Sequence, residues 1–307
     1  MRAAIIDMGT NTFNLLIAET NGNNGFQTIH NSKCFVKLGE GGIDRKFIAP
    51  EAWERGLKAI ESHMSTISTF NVDKVFAFAT SATRDAENGA SFVEEILKRH
   101  NLKVNVIKGE QEALLIFQGV RQAVDLGSQI NLILDIGGGS NELILCDANQ
   151  AFWMQSFDLG VQRLLNQFKP SEPITSDEIS RVEKFLELEL QPLITASEAH
   201  PPVRLIGSSG SFDTYRSLLA NEGVIELNNQ ISAEIPPDGF MQLHLKLLSS
   251  IRAERLAMKG MEPIRVDFIV LASIFTNFVI TRLGIKSIYQ SNYALKEGAL
   301  FEIFNMS

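Results

Sequence analysis

The pattern of apolar and polar positions predicts the same order of elements in both halves of the chain. Alternating or short continuous apolar runs indicate strands, whereas apolar residues three and four positions apart indicate amphipathic helices. In the first half we expect strands at 2–7, 13–19 and 26–37, a helix at about 50–68, a strand at 75–80, a helix at about 87–99, a strand at 103–107 and a helix that opens at 109.

The second half repeats this order and then extends it. We expect strands at 131–135, 142–146 and 150–157, helices from about 160 and at about 176–198, a strand at 203–207, a helix, a polar connector at 222–236, helices at about 237–257 and 264–283, a strand at 286–290 and a helix at 294–304. This repetition is typical of a duplicated α/β domain with mixed sheets. We therefore expect domains at 1–124 and 125–293, with a final helix at about 294–307 that packs back on the first.

A short motif occurs at the same place in each half. An apolar run ends in Asp, Gly follows two residues later, a hydroxyl residue stands five residues after the Asp, and an apolar run resumes; the positions are Asp7, Gly9 and Thr12, and then Asp135, Gly137 and Ser140. We interpret each copy as a strand, a turn and a strand. Glycines in such a turn let backbone N–H groups point at an anion. The alternative is an ordinary hairpin turn, which the repetition makes the weaker explanation.

Two other loops contain groups that bind phosphate. Gly207-Ser-Ser-Gly-Ser211 follows an apolar strand and opens onto a predicted helix N-terminus, which favours anions. Thr80-Ser-Ala-Thr-Arg84 offers hydroxyls and a guanidinium that can grip phosphate with two hydrogen bonds. Each loop alone is weak evidence for a phosphate site. Ser/Gly turns like the first loop are common, and the sequence of the second loop is equally compatible with a solvated turn that carries a surface Arg.

Several acidic residues are candidates for catalysis or for binding a metal. Asp7 and Asp135 at strand ends are suited to a divalent cation or its water. Glu112 stands in a predicted first helical turn, where the helix dipole alone favours acidic residues. Glu142 is more suggestive, because Asn14 occupies the matching position in the first copy of the motif. The five histidines are scattered, which argues against a zinc site or a His-based nucleophilic mechanism.

Composition limits the classes of function. The chain has 307 residues, 45% of them hydrophobic and 21% charged, which suits two globular domains. Its net charge of −8 argues against a dedicated nucleic-acid binder, but a local basic pocket can still hold a polyanion. Cys34 and Cys146 are far apart, which favours a reduced, cytoplasmic location. The N-terminus lacks the apolar core of a signal peptide. The 264–283 segment is too polar to span a membrane, and it suits either a core or the interface of a homodimer.

Taken together, these motifs resemble the exopolyphosphatase / guanosine pentaphosphate phosphohydrolase (Ppx/GppA) family of the actin–sugar kinase–Hsp70 superfamily. The matching segments are the Asp7-x-Gly-Thr-Asn-Thr turn, Thr80–Arg84, Gly109-x-x-Glu112-Ala, Asp135-Ile-Gly-Gly-Gly-Ser-Asn-Glu142, Gly207-Ser-Ser-Gly and Ala294-Leu-Lys-Glu-Gly298. The resemblance implies two ribonuclease-H-like (actin-like) domains with an active site in the cleft between them. It also implies that Glu112 activates the attacking water, and that the chain is a short form without the extra helical region of longer relatives.

The resulting site assignment has three parts. Glu112 and Glu142 are the expected catalytic residues, and Asp7, Asp135 and Glu142 are expected to hold Mg²⁺ or another divalent cation. The expected phosphate-binding residues are Gly9, Thr10, Asn11, Thr12, Arg84, Gly137, Gly138, Gly139, Ser140, Asn141, Gly207, Ser208, Ser209 and Gly210. The chain departs from the family pattern at Thr10 and Thr12 (usually Ser), Asn141 (usually Thr) and Asn292 (usually Asp).

The expected function is removal of the terminal phosphate from inorganic polyphosphate by a metal-assisted attack of water. Hydrolysis of guanosine pentaphosphate is the alternative within enzymes, and the sequence does not separate the two. A non-catalytic polyphosphate or nucleotide sensor and a sugar-kinase-like transferase are alternatives of other classes. Neither a nucleic acid nor a membrane is expected as a partner, and the two domains are expected to close around a charged chain.

Overall fold

The computed structural model describes residues 1–21, 25–226, 228 and 230–305, which form two mixed sheets with helices packed against them. Residues 227 and 229 of the predicted connector, and residues 306 and 307 of the predicted final helix, lie outside the described ranges.

The first sheet is built entirely from the first half of the chain. Its strands are β1 (Arg2–Met8), β2 (Thr12–Thr20), β3 (Phe26–Phe35), β4 (Lys74–Ala79) and β5 (Val104–Val106). Their order is β3-β2-β1-β4-β5; β1, β2 and β3 are antiparallel neighbours, whereas β4 and β5 run parallel to β1. The helices of this half are α1 (Pro50–Ile67), α2 (Ser81–Arg84), α3 (Gly89–His100) and α4 (Gly109–Ala123).

The second sheet repeats this arrangement and adds one edge strand. Its strands are β6 (Asn131–Ile136), β7 (Asn141–Cys146), β8 (Ala151–Phe157), β9 (Arg204–Ser208), β10 (Ser232–Ile235) and β11 (Ser287–Ser291), in the order β10-β11-β9-β6-β7-β8. The helices are α5 (Val161–Phe168), α6 (Ser176–Glu189), α7 (Gln191–Ala199), α8 (Ser209–Asn221), α9 (Pro237–Ser249), α10 (Arg252–Ala257), α11 (Ile269–Leu283) and α12 (Leu295–Asn305). The expected duplicated α/β architecture with mixed sheets is confirmed.

Two predicted long helices are each divided in two, so their predicted lengths were wrong. The segment 176–198 breaks at Leu190, and Pro192 falls in the first turn of α7. Proline has no N–H to donate and fits only at such a start. The segment 237–257 breaks at Ser250, whose backbone is extended, and the carboxylate of Glu254 accepts the N–H of Ile251 to begin α10.

Three smaller predictions also need correction. The polar connector contains β10, which gains its partners from β11, a strand distant in sequence. The segment after β4, expected as a loop, forms the one-turn helix α2. The helix expected from 264 begins at Ile269, after a series of turns.

The last helix follows the second sheet in sequence but packs on elements of the first half. α12 packs along α4 and also contacts β1 and β2. The apolar cluster between the sheets contains Ile5 of β1, Ile133 of β6, Val120 of α4 and Leu300 of α12. α4 therefore lies between both sheets, although the division at 124 and 125 stays a prediction. None of the helices in the described ranges is long and apolar enough to cross a membrane.

Candidate active site

A polar cleft of ≈ 150 Å³ lies between the two halves, where both repeated turns meet. It is bounded by the two turns, the first turn of α4, the N-terminus of α8 and the start of α12. Most of the predicted site residues line it, namely Asp7, Gly9, Thr10, Asn11, Thr12, Glu112, Asp135, Gly137, Gly138, Gly139, Ser140, Glu142, Ser209 and Gly210. The structure thus brings together residues from distant parts of the sequence.

Four predicted phosphate-binding residues stand behind this lining. Arg84 is paired with Glu112, and Ser208 donates its hydroxyl to Asp135 (2.7 Å). The side-chain amide of Asn141 donates to the carbonyl of Leu159 (2.9 Å). Gly207 leaves room for the ring of Phe212, which would lie 2.0 Å from a Cβ at that position. All four support the wall of the cleft from outside.

The two turns have the same internal hydrogen bond. The N–H of Gly9 donates to the carbonyl of Thr12 (3.0 Å), and the N–H of Gly137 donates to the carbonyl of Ser140 (3.1 Å). The flanking strands pair in matching register, so that Asp7 lies opposite Asn14 and Asp135 lies opposite Glu142. The interpretation of each motif as a strand, a turn and a strand is therefore confirmed.

In the first turn, the carbonyl groups are bonded to the segment that follows β3. The carbonyl of Thr10 accepts the N–H of Gly39 (3.2 Å), and the carbonyl of Asn11 accepts those of Val36 (3.0 Å) and Lys37 (2.9 Å). Within the described residues, the N–H groups of Thr10 and Asn11 have no partner. They are available to an anion in the cleft.

In the second turn, the carbonyl groups are bonded to the N-terminus of α5. The carbonyls of residues 137–139 accept the N–H groups of residues 160–162, with N···O distances of 2.9–3.3 Å. The N–H groups of Gly138 and Gly139 have no partner in the part of the chain that the structure describes. Both turns thus line the same cleft and carry unpaired N–H donors, an arrangement that favours a polyanion.

The two turns approach each other too closely for side chains on the second one. A Cβ at Gly138 would lie 2.7 Å from the amide nitrogen of Asn11, and a Cβ at Gly139 would lie 2.6 Å from the hydroxyl of Thr10. Both polar atoms of the Asn11 side chain are buried without a partner among the described residues. Because buried polar groups are normally hydrogen-bonded, this amide indicates a missing ligand.

The strand-end aspartates lie in the cleft without a salt bridge among the described residues. Asp135 accepts the hydroxyls of Ser208 (2.7 Å) and Ser209 (2.6 Å), and Asp7 accepts the amide of Asn14 (2.9 Å). Burial raises the pKa of Asp7 to about 6, and it also raises the pKa of Asp135, even though these hydrogen bonds act in the opposite direction.

The two glutamates are also buried, and each influences the ionisation of the other carboxylates of the cleft. Glu142, on β7, accepts the hydroxyl of Ser156 (2.7 Å), and burial with the charge of Asp135 raises its pKa to about 7. Glu112, at the start of α4, accepts Nη1 of Arg84 (2.9 Å). Burial and the charge of Glu142 hold the pKa of Glu112 well above its usual range, although Arg84 opposes the shift.

Sequence reasoning missed the cations of the cleft. Lys33, Arg265 and Lys296 line it, together with Asp213 and Asn292. Burial opposes the charge of Lys296, but Glu297, Asp7 and Asp213 raise its pKa above the usual value. Two of these residues had a detectable signal in the sequence. Lys296 lies inside the Ala294–Gly298 motif, and Asn292 stands where the family pattern usually has Asp.

The acidic residues fit a divalent cation that is shared with a phosphate. In the described ranges, no group of three or more His, Cys, Asp or Glu side chains forms a complete metal site. Mg²⁺, however, is commonly held by one or two carboxylates, water and substrate phosphate. Asp135 and Glu142 lie opposite each other across β6 and β7, and their mutual repulsion would be relieved by a cation.

Comparison with known proteins identifies relatives of this chain. The model of the Ppx/GppA phosphatase family matches residues 16–306. A bifunctional 3-dehydroquinate synthase/phosphatase of Fusobacterium nucleatum is 29% identical over 314 residues, which cover 97% of this chain but only 46% of that protein. Exopolyphosphatase 1 of Mycobacterium tuberculosis is 25% identical over 303 residues, covering 98% of this chain and 87% of that protein.

Solved structures agree with these matches. The crystal structure of an exopolyphosphatase from Cytophaga hutchinsonii is 37% identical in sequence and superposes with a TM-score of 0.97, covering 100% of this chain and 98% of the other. A PPX-GPPA enzyme of Aquifex aeolicus has a TM-score of 0.82 at 23% identity, covering 98% of this chain and 99% of the other, and shows the shared fold.

Proposed function

Because the chain belongs to the Ppx/GppA phosphatase family, we propose that it is a phosphoanhydride hydrolase that removes the terminal phosphate of inorganic polyphosphate. The observation that carries this proposal is the facing pair of turns, whose unpaired N–H groups lie in one cleft with Glu112. Such a site offers many donors to a chain of phosphates and one buried base to water.

Glu112 is the proposed general base. It accepts a proton from a water molecule while the oxygen of that water attacks the terminal phosphorus in line, and the bridging P–O bond to the shortened chain breaks. A base works best with a pKa near the working pH, and burial moves the pKa of Glu112 upward from its usual value. The hydrogen bond from Arg84 fixes the orientation of the carboxylate.

The other groups of the cleft position the phosphates and balance their charge. Phosphoryl transfer depends mainly on positioning and on electrostatic stabilisation. The N–H groups of both turns would donate to oxygens of the terminal phosphates, and Lys33, Arg265 and Lys296 would offset the charge of the chain. Asp135 and Glu142, with Asp7 nearby, would hold a divalent cation, which supplies neutralisation of phosphate charge when bound.

One observation favours inorganic polyphosphate over guanosine pentaphosphate. Within the described residues, no aromatic side chain lines the cleft, so a guanine base has no stacking surface there. A bare phosphate chain needs no such stacking surface.

The test is phosphate release from polyphosphates of several lengths and from guanosine pentaphosphate, with and without Mg²⁺. We expect release from polyphosphate that depends on Mg²⁺. Glu112→Gln should lower kcat by about 100-fold or more, because removal of a general base typically costs ~10²–10⁴ in rate. Binding of polyphosphate should remain.

Glu110→Gln is the matched control. Glu110 lies in the same first turn of α4 but is exposed, so the variant should retain the parent kcat. Full activity of Glu112→Gln would overturn the mechanism. Binding without release by the parent would favour a sensor, faster release from guanosine pentaphosphate would favour the alternative substrate, and transfer that requires an acceptor would favour a kinase-like enzyme.

A further inference from the structure

A series of polar contacts connects the proposed base to the second turn and crosses between the two halves. Glu112 accepts Nη1 of Arg84 (2.9 Å), and Nε of Arg84 contacts Oδ1 of Asp85 (3.2 Å). Oδ2 of Asp85 accepts Nη2 of Arg163 (2.6 Å), and Nε of Arg163 donates to the carbonyl of Gly139 (2.8 Å). We call this series the ion-pair chain.

The middle of the ion-pair chain is shielded from solvent. The side chains of Arg84, Asp85 and Arg163 are 19%, 22% and 16% exposed. Shielded ion pairs are screened less by salt than exposed ones. The hydroxyl of Ser81 also donates to Oδ2 of Asp85 (3.0 Å). Asp85 therefore lies between one guanidinium from each half of the molecule.

We propose that Asp85 and Arg163 are positioning residues that fix Arg84, and through it Glu112, when the two halves are closed on each other. The proposal rests on the proposed function, because it assumes that Glu112 acts on a substrate in the cleft. When the halves separate, Arg163 moves away with the second half. Asp85 then has Arg84 as its remaining guanidinium and competes with Glu112 for it.

The consequence is that the base takes its working orientation only when the second turn is in place. Arg163 follows that turn in α5 and grips its carbonyl at Gly139. Completing the site by closure is a known way to commit a substrate to reaction. Here the guanidinium of Arg163 contacts both the second turn and Asp85, so the position of that turn affects the orientation of Arg84.

The test is a double-mutant cycle with Arg163→Met and Asp85→Asn. Each single variant should lower kcat by about 10- to 100-fold while KM for polyphosphate stays within about threefold, because the groups that contact substrate remain. The double variant should be no slower than the worse single variant, since both changes interrupt the same series of contacts. The kcat of Arg163→Lys should lie between those of the parent and Arg163→Met, because an ammonium keeps the charge but cannot form the two-pronged hydrogen bonds of a guanidinium.

Asp158→Asn is the matched control. Asp158 lies 3.8 Å from Nη2 of Arg163 but is 72% exposed and outside the ion-pair chain. This variant makes the same change of charge as Asp85→Asn and should keep kcat within about twofold of the parent, as expected for an exposed ion pair. Additive losses in the cycle, or an equal loss in Asp158→Asn, would overturn the proposal.

A second measurement does not depend on the substrate. Hydrogen exchange of the peptide that contains α2 should be faster in Arg163→Met than in Asp158→Asn, with no polyphosphate present. If the parent releases no phosphate from any substrate, the proposed function fails. The exchange data still decide whether the ion-pair chain holds α2 in place. Faster exchange in Arg163→Met supports it, and equal exchange in the two variants rejects it.

Discussion

At the scale of single residues, the cleft concentrates negative charge that destabilises the folded state. Asp7, Asp135 and Glu142 are held near one another without a salt bridge in the described ranges, and burial raises the pKa of each. A carboxylate that is harder to ionise in the folded than in the unfolded chain lowers the free energy of unfolding once it is charged. Sites arranged for function commonly carry such a cost.

Glu142→Gln should therefore stabilise the protein while it impairs catalysis. The folded-state pKa of Glu142 is about 7, above its ordinary value of 4.5. As pH rises from 4.5 through 7, the folded state holds this proton more tightly than the unfolded state, so stability falls and stays low above 7. The variant lacks this loss, and its free energy of unfolding at pH 8 should exceed that of the parent by ~1–3 kcal/mol. Urea unfolding at pH 8 and at pH 4.5 measures this difference.

The difference should shrink toward pH 4.5, where the carboxyl is protonated in the folded state. Mg²⁺ at pH 8 should raise the Tm of the parent more than that of Glu142→Gln, because a ligand of the folded state stabilises it. Glu189→Gln, a change at an exposed position at the end of α6, is the control. It should change neither the free energy of unfolding at pH 8 nor the rise in Tm caused by Mg²⁺. A Glu142→Gln protein that is less stable than the parent at pH 8 contradicts this account.

The sequence predicted those site residues that stand in recognisable local motifs. Asp135 and Glu142 stand in one motif, and their counterparts Asp7 and Asn14 form a repeat of it. The cations are different, because Lys33 comes from β3 and Arg265 from the turns before α11. No local pattern marks such a residue, and only the closed fold brings it to the cleft.

At the scale of elements, the placement of the site depends on the contact between α4 and α12. α4 carries Glu112 and α12 carries Lys296. The helices meet at two glycines, since a Cβ at Gly119 would lie 2.0 Å from the carbonyl of Ala294 and a Cβ at Gly298 would lie 1.8 Å from that of Leu115. The period of apolar residues predicted both helices, but it did not predict this close approach.

Gly119→Ala should separate these helices and lower both stability and activity. Alanine stabilises a helix by ~0.5–1 kcal/mol relative to glycine. Its methyl group, however, would collide with the backbone of the neighbouring helix, which cannot move away as a flexible side chain could. Overpacking of this kind costs about 1–3 kcal/mol, so the net effect should be a loss. Urea unfolding and kcat on polyphosphate measure the two consequences.

Gln122→Ala, at an exposed position of α4, is the control for the introduction of alanine into this helix. It should leave stability within about 0.5 kcal/mol and kcat unchanged. A Gly119→Ala protein that is more stable than the parent and fully active would show that the helices can move apart without disturbing the site.

At the scale of the whole molecule, the duplication predicted a cleft between two similar halves, and the structure shows what holds them together. Besides the ion-pair chain, the amide of Asn166 donates to Asp44, and Lys33 forms an ion pair with Glu262. Each of these contacts joins elements far apart in sequence. The repeat could predict that two turns face each other, but it contains no information on which surface residues meet when they do.

The Lys33–Glu262 pair offers a test of how the cleft admits a polyanion. Lys33 lines the cleft, yet its ammonium is paired with Glu262, and the two side chains are 44% and 32% exposed. A phosphate chain that enters must compete with Glu262 for this cation. Exposed pairs contribute ~0.2–1 kcal/mol, so Glu262→Gln should lower KM for polyphosphate by up to about fivefold at low salt and by less at high salt.

Glu222→Gln is the matched control, because it breaks a similarly exposed pair with Lys246 at a distance from the cleft, and it should not change KM. Lys33→Gln should raise KM. If Glu262→Gln instead raises KM, the pair serves to hold the halves together and not to restrain Lys33. Small-angle scattering of Glu262→Gln without polyphosphate separates these cases. If the two halves have lost a connection, the protein should be less compact than the parent. If the change only frees Lys33, the compactness should stay unchanged, because the freed ammonium acts only when the phosphate chain binds.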